Sequence, residues 1–145
     1  MGEAMSAPTR VVYALEPGLD VEEFRSVLVD SGLGTIRPVG DEPRLRAMLS
    51  AANIIVTARA EEDGKPLLGV ARGITDFSWV CYLSEVAVTK SAQGLGIGKG
   101  LLEETRRQLG PQVAVALISV PESIGFYERA GMTRMTDAFW YKRDK

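Results

Sequence analysis

The stretch Val86-Ala-Val-Thr-Lys-Ser-Ala-Gln93-Gly94-Leu95-Gly96-Ile97-Gly98-Lys99-Gly100 runs from a β-branched apolar segment into four alternating glycines. A helical apolar pattern follows directly, through Leu101, Leu102, Thr105 and Leu109. Glycine lets backbone amides approach a ligand without Cβ obstruction. At a helix start those amides lack internal partners and sit at the positive end of the dipole, so the segment predicts an anion site suited to a pyrophosphate. Each interior glycine costs a helix about 1 kcal/mol relative to alanine. A strand-to-helix turn that binds nothing accounts poorly for them.

Three phosphate-binding patterns compete for this turn. The dinucleotide fingerprint G-x-G-x-x-G fails, because its last position falls on Lys99 or Leu101 depending on the starting glycine. The Walker pattern fails twice: Gln93 stands where its first glycine belongs, and Gly100 where Ser or Thr would hold magnesium. The third, Gln/Arg-x-x-Gly-x-Gly/Ala, is matched by Gln93, Gly96 and Gly98.

Outward from the turn, residues 78–88 read as the strand that feeds it, and residues 67–75 as a preceding strand. An Asp63-Gly64 hairpin signal joins the latter to a β-branched strand at residues 54–60. Toward the N-terminus, residues 10–15 predict a first strand. A helix capped by Asp20 reaches about Ser31 with Val21, Phe24, Val27 and Leu28 on one face. A second helix covers residues 42–52 with Leu45, Met48 and Leu49 as its stripe. Downstream, the apolar run 113–120 predicts a strand covered on both faces. A helix opened by Pro121 runs to about Ala130, and residues 132–142 predict a last strand. The order β-α-α-β-β-β-α-β-α-β describes a mixed α/β layer without repeat or linker.

The chain has 145 residues, enough for one domain with a real core, and a formal net charge of −2. That balance supplies no global field toward nucleic acid or anionic lipid. There is no histidine, so a Cys/His zinc site and a Ser-His-Asp triad are both excluded. Proton transfer falls to Glu, Asp, Tyr, Lys, Cys or water. Cys81 is the single cysteine and reads as a buried free thiol in a reducing cytoplasm. The opening residues lack the build of a signal peptide, and no apolar run approaches the ~20 residues that span a bilayer.

Three motifs in order resemble the GNAT superfamily of acyl-CoA-dependent N-acetyltransferases. Leu83-Ser-Glu-Val-Ala-Val88 is similar to its apolar strand, Gln93 to Gly98 to its turn, and Phe126-Tyr127-Glu128-Arg129-Ala130-Gly131-Met132 to its downstream helix. The resemblance is strong over residues 82–132. It implies one N-acetyltransferase domain over 1–145, with a mixed, mostly antiparallel central sheet flanked by helices. It further implies direct transfer of an acetyl group from acetyl-CoA, as co-substrate and without metal, to a small-molecule or peptide amine.

On that resemblance, the main chain of Val86 and Val88 and the segment Gln93, Gly94, Leu95, Gly96, Ile97, Gly98 and Lys99 hold CoA. Tyr127 aligns with a tyrosine near the CoA sulfur and is the candidate acid; its alternative is an aromatic anchor of the helix. Glu85 matches an acidic position on the strand and is the candidate base; its alternative is a salt-bridged carboxylate. Many relatives carry an Asn after the fifth strand, where this chain has Ser119-Val120-Pro121-Glu122-Ser123 and Ser119 is the substitute contact. A non-catalytic acyl-CoA-binding module of the same fold is the competing reading. A nucleic-acid-directed relative would call for a basic patch beside the acetyl site. Glu22, Glu23, Asp30, Asp76 and Asp137 could attract a cationic amine, and family habit makes a homodimer possible. Neither nucleic acid nor membrane is an expected partner.

Overall fold

The computed structural model describes residues 10–145. The expectation of no leader rests largely on residues 1–9, which lie outside the described residues. Five strands form one sheet in the order β1 (Val11–Leu15), β2 (Ile54–Ala60), β3 (Leu67–Thr75), β4 (Val80–Val88) and β5 (Ala114–Leu117). The first three pairings are antiparallel and β4 with β5 is parallel. The parallel pair needs a crossover, which the helix after the glycine turn supplies.

Helices cover both faces. On one face, α1 (Val21–Ser31) and α2 (Glu42–Ala51) bury Phe24, Val27, Leu28, Leu45 and Leu49 against Ile55, Val70 and Ala87. On the other, α3 (Ile97–Leu109) buries Ile97, Leu101, Leu102 and Leu109 against Ile54, Val56, Ala58 and Ala71. The alternation of Ile54, Ile55 and Val56 between the two clusters is the two-residue period of a strand buried on both sides. Asp20 caps α1 by accepting from the amides of Glu22 and Glu23, and Asp41 caps α2 through the amide of Arg44. Cys81 is a buried free thiol, its pKa pushed up to about 11 by burial.

The mixed, mostly antiparallel sheet between helices is the fold expected from the sequence, with differences at the C-terminal end. The run 113–120 was expected to be covered on both faces, but β5 keeps only four residues and is half-buried at the sheet edge. The expected helix from Pro121 is a short 3₁₀ turn, Pro121–Ser123, leading into α4 (Ile124–Arg129). Residues 132–142 form no strand and are almost wholly exposed. Their three consecutive aromatics, Phe139, Trp140 and Tyr141, are all exposed rather than packed on either face of the sheet.

One irregularity positions everything that follows. Arg72 pairs with Glu85, but Gly73 pairs with Leu83, so Ser84 is an extra residue, a β-bulge in β4. The bulge reverses the alternation: Cys81 and Leu83 before it, and Val86 and Val88 after it, all pack on the α3 side. Glu85 and Ala87 face α1 and α2 instead.

Candidate active site

Pairing of β4 with β5 runs from Val80–Ala114 to Leu83–Leu117 and stops at the bulge. Beyond it the two strands part. The amide of Thr89 donates to the Leu68 oxygen of β3 at 2.9 Å. Strand alternation therefore turns the main-chain groups of Val88 and Val86 the other way, into the gap where β5 has left. There the Gln93 side chain donates to the Val88 oxygen at 3.0 Å. The gap opens into a groove of about 1780 Å³ lined by Ser84 to Val88, Leu117 to Ser123, α4 and the connection between α1 and α2. That is larger than the ~300–1,000 Å³ of a typical small-ligand site.

The glycine turn forms one end of this groove. Gly94 and Gly96 take the left-handed φ values of +85° and +81°, which side chains other than hydrogen rarely adopt, and a Cβ at either would meet nothing within 4 Å. Gly96 is the N-cap of α3 and offers no side-chain cap. Among the described residues, no acceptor engages the amides from Gly94 to Lys99. A helix N-terminus with free amides, opening on a groove, fits a pyrophosphate. Gln93, Gly94, Gly96, Ile97 and Gly98 line the groove, whereas Leu95 and Lys99 are exposed and lie outside its lining. Asp30 at the end of α1 accepts from the Lys90 amide at 2.7 Å, tying the turn to the opposite helical layer.

Glu85 is not a free carboxylate. Its side chain is fully buried and paired with Arg72 through Nε and Nη2, with Arg37 at 2.7 Å, and with the Ser84 hydroxyl at 2.8 Å. Burial alone would push its pKa up; the Arg72 guanidinium, then Arg37 and Ser84, outweigh that and hold it below the ordinary carboxylate value. Arg37 also donates to the Ser84 oxygen at 2.7 Å, and Arg72 to the Met48 oxygen at 3.0 Å. The bulge is thus clamped to α2 and to the α1–α2 connection.

Tyr127 on α4 lines the groove, and its phenol pKa is raised by burial. Its ring stands edge-to-face on Phe126, centroids 5.0 Å apart, and Phe126 packs over Gly98, where a Cβ would come within 2.8 Å of the ring. α4 is therefore seated on the first turn of α3. Ser119 lines the groove too, its hydroxyl donating to the Val120 oxygen at 2.7 Å.

A family model described as an acetyltransferase (GNAT) domain matches residues 52–133, the span that holds the bulge, the glycine turn and Tyr127. The chain belongs to the GNAT acetyltransferase family. Among its relatives, a chloroplastic serotonin N-acetyltransferase 2 from Oryza sativa subsp. japonica is 30% identical over 83% of this chain and 60% of its own length. The uncharacterized N-acetyltransferase ycf52 of Porphyra purpurea is 27% identical over 69% of this chain and 62% of its own. The chain spans about 60% of the length of these curated relatives. Of the solved structures, a GNAT-family acetyltransferase from Streptococcus pneumoniae TIGR4 superposes with a TM-score of 0.67 at 22% identity, covering 93% of this chain and 100% of that one. The aminoglycoside N-acetyltransferase AAC(6')-Iy, solved with CoA, gives 0.67 at 16% identity, covering 96% and 98%. These likenesses establish the fold.

In this GNAT domain, Glu85, Val86, Val88, Gln93, Gly94, Gly96, Ile97, Gly98, Ser119 and Tyr127 line one groove, and of the candidate site residues singled out in the sequence Leu95 and Lys99 do not. Sequence reading missed Arg37 and Arg72. Arg72 carried a signal: a cation amid the apolar run of β3 needs a buried partner. Arg37, in a connection before Pro38, carried none. Trp79 and Tyr141 are exposed and outside the groove; Trp140 is on its rim.

Proposed function

We propose that this domain transfers an acetyl group from acetyl-CoA to an amine by direct attack in a ternary complex. The parting of β4 from β5 beside a helix start with free amides carries this reading. The main-chain groups of Val86 and the amide of Val88, which face the gap, would receive the pantetheine arm as an added strand, and the Gly94–Gly98 amides the pyrophosphate. The Val86 amide is the candidate donor to the oxygen on which negative charge develops.

In the reaction a C–N bond forms and the C–S bond breaks. The half-buried Tyr127 phenol, its pKa raised by burial, stays protonated at neutral pH and supplies the proton for the departing thiolate. Glu85, ionised and held by two guanidinia, is a weak base; its role in this proposal is to fix the bulge and hence the Val86 amide. The amine proton leaves through water.

Release of CoA thiol from acetyl-CoA on addition of an amine panel tests the proposal. Acetyl-CoA binding without release for any amine would favour a non-catalytic module instead. Glu85→Gln separates the two roles of that residue. As an anchor, its loss leaves two partly or fully buried guanidinia without their carboxylate and lowers stability by about 3 kcal/mol. The acidic limb of the pH–rate profile should stay in place. Disappearance of that limb would restore Glu85 as the base.

A further inference from the structure

The side of the groove lined by α2 and the α1–α2 connection is cationic, in a chain whose net charge is −2. One carboxylate, Glu85, faces two guanidinia, so the buried Arg37–Glu85–Arg72 cluster keeps a net positive charge. Beside it Arg44 of α2 has no Asp or Glu partner among the described residues; its Nη2 donates at 3.3 Å to an oxygen of Lys145, the last residue of the chain, so the guanidinium already faces an anionic oxygen in the groove. Lys142, Arg143 and Lys145 line the same groove. The other side-chain carboxylate in the lining, Glu122, stands in the turn before α4.

The carboxylates expected to attract a cationic amine are engaged elsewhere. Glu22 pairs with Arg25, Glu23 with Arg59, and Asp30 holds the Lys90 amide. Asp76 accepts from the amides of Ser78, Trp79 and Val80. None of these, nor Asp137, lines the groove.

Resting on the acetyl-transfer reading, we propose that the acceptor is an amine that also carries an anionic oxygen group, a carboxylate in the first instance. Arg44 and the uncommitted N–H groups of Arg37 bind that anion; Arg37 spends donors on Glu85, Ile36 and Ser84 and retains others of its five. Guanidinium–carboxylate bonds are charge-assisted and oriented, so they fix the amine as well as hold it. The same positive field disfavours the ammonium form of the acceptor and lowers the amine pKa toward the nucleophilic free base. This supplies by electrostatics what a free catalytic carboxylate would otherwise do. It also separates this chain from simple arylalkylamine acceptors such as the serotonin in the name of its rice relative.

The test pairs acceptors that differ by one anion: 5-hydroxytryptophan against serotonin, phenylalanine against phenethylamine, ornithine against putrescine, with phosphoethanolamine against ethanolamine as the phosphate arm. CoA release is one readout. The thermal shift of the CoA complex on adding each N-acetyl product is a second, independent of turnover. The anionic member of at least one pair should show about 10- to 100-fold higher kcat/KM, the range expected of a charge-assisted bond. Its product alone should stabilise the CoA complex.

Arg44→Ala should raise the KM of that acceptor about 10-fold or more while CoA affinity is unmoved, and Arg44→Lys should recover part of the loss. Preference for the neutral members overturns the proposal. So does a CoA complex that no anionic product stabilises, or an Arg44→Ala effect equal on both members of a pair. Inhibition by micromolar tRNA, without any small anionic acceptor, overturns it in favour of a nucleic-acid-borne amine. Failure of CoA itself to stabilise the chain strikes the acetyl-transfer reading and takes this inference with it.

Discussion

Gly96→Asp is expected to abolish CoA binding, with an affinity loss of at least about 100-fold by calorimetric titration. Gly96 sits at φ +81° at the start of α3, and a Cβ there meets nothing within 4 Å. Aspartate tolerates the left-handed region better than most residues, so the fold should survive with a stability loss of about 1 kcal/mol. What changes is the field. A carboxylate is placed among the free amides of Gly94 to Lys99, where it satisfies them itself and repels a pyrophosphate. Gly96→Ala, with at least as much backbone strain and no charge, should lose much less affinity. Equal losses in the two variants would make backbone geometry the cause, and unchanged affinity in Gly96→Asp would remove the turn from the site.

Tyr127→Phe is expected to lower kcat about 100-fold while leaving the KM for acetyl-CoA nearly unchanged, since a positioned acid contributes ~10²–10⁴ in rate. Phenylalanine keeps the edge-to-face contact with Phe126 and so preserves the seat of α4 on Gly98. Burial raises the Tyr127 pKa above the phenol value of about 10. The acid form therefore persists as pH rises through the neutral range, and Tyr127 itself should cause no fall in rate below about pH 10. Full activity in Tyr127→Phe, or an alkaline loss near pH 8 that this substitution removes, would assign the phenol differently.

The pieces legible in the sequence are those whose signal is local. Asp20 before an amphipathic stripe, the Asp63-Gly64 turn and the alternating glycines after Gln93 each carry their own geometry, and α1, β2, β3 and α3 stand where those signals put them or within a few residues. The bulge at Ser84 left no mark, because an extra residue in a strand is defined by its partner across the sheet. The register slip against Arg72 and Gly73 is a tertiary fact. The same limit hid the Glu85 pairing: Arg37 lies 48 positions away in sequence, and only the packing of the α1–α2 connection over β4 brings it to 2.7 Å. Residues 132–142 misled in the other direction, their aromatics reading as a strand although the segment pairs with none of the five strands.

Binding of the acetyl donor is the claim on which the rest depends. The most direct measurement is a thermal-shift titration of the chain with acetyl-CoA and CoA, with NADH and Mg-ATP as controls. A ligand at ~100 times its Kd stabilises a fold by ~2.7 kcal/mol, which for a domain of this size is about 5 to 10 °C. The account predicts a shift of that order with acetyl-CoA and CoA and none with the controls. No shift with either CoA ligand up to millimolar concentration, or an equal shift with NADH or Mg-ATP, would contradict it.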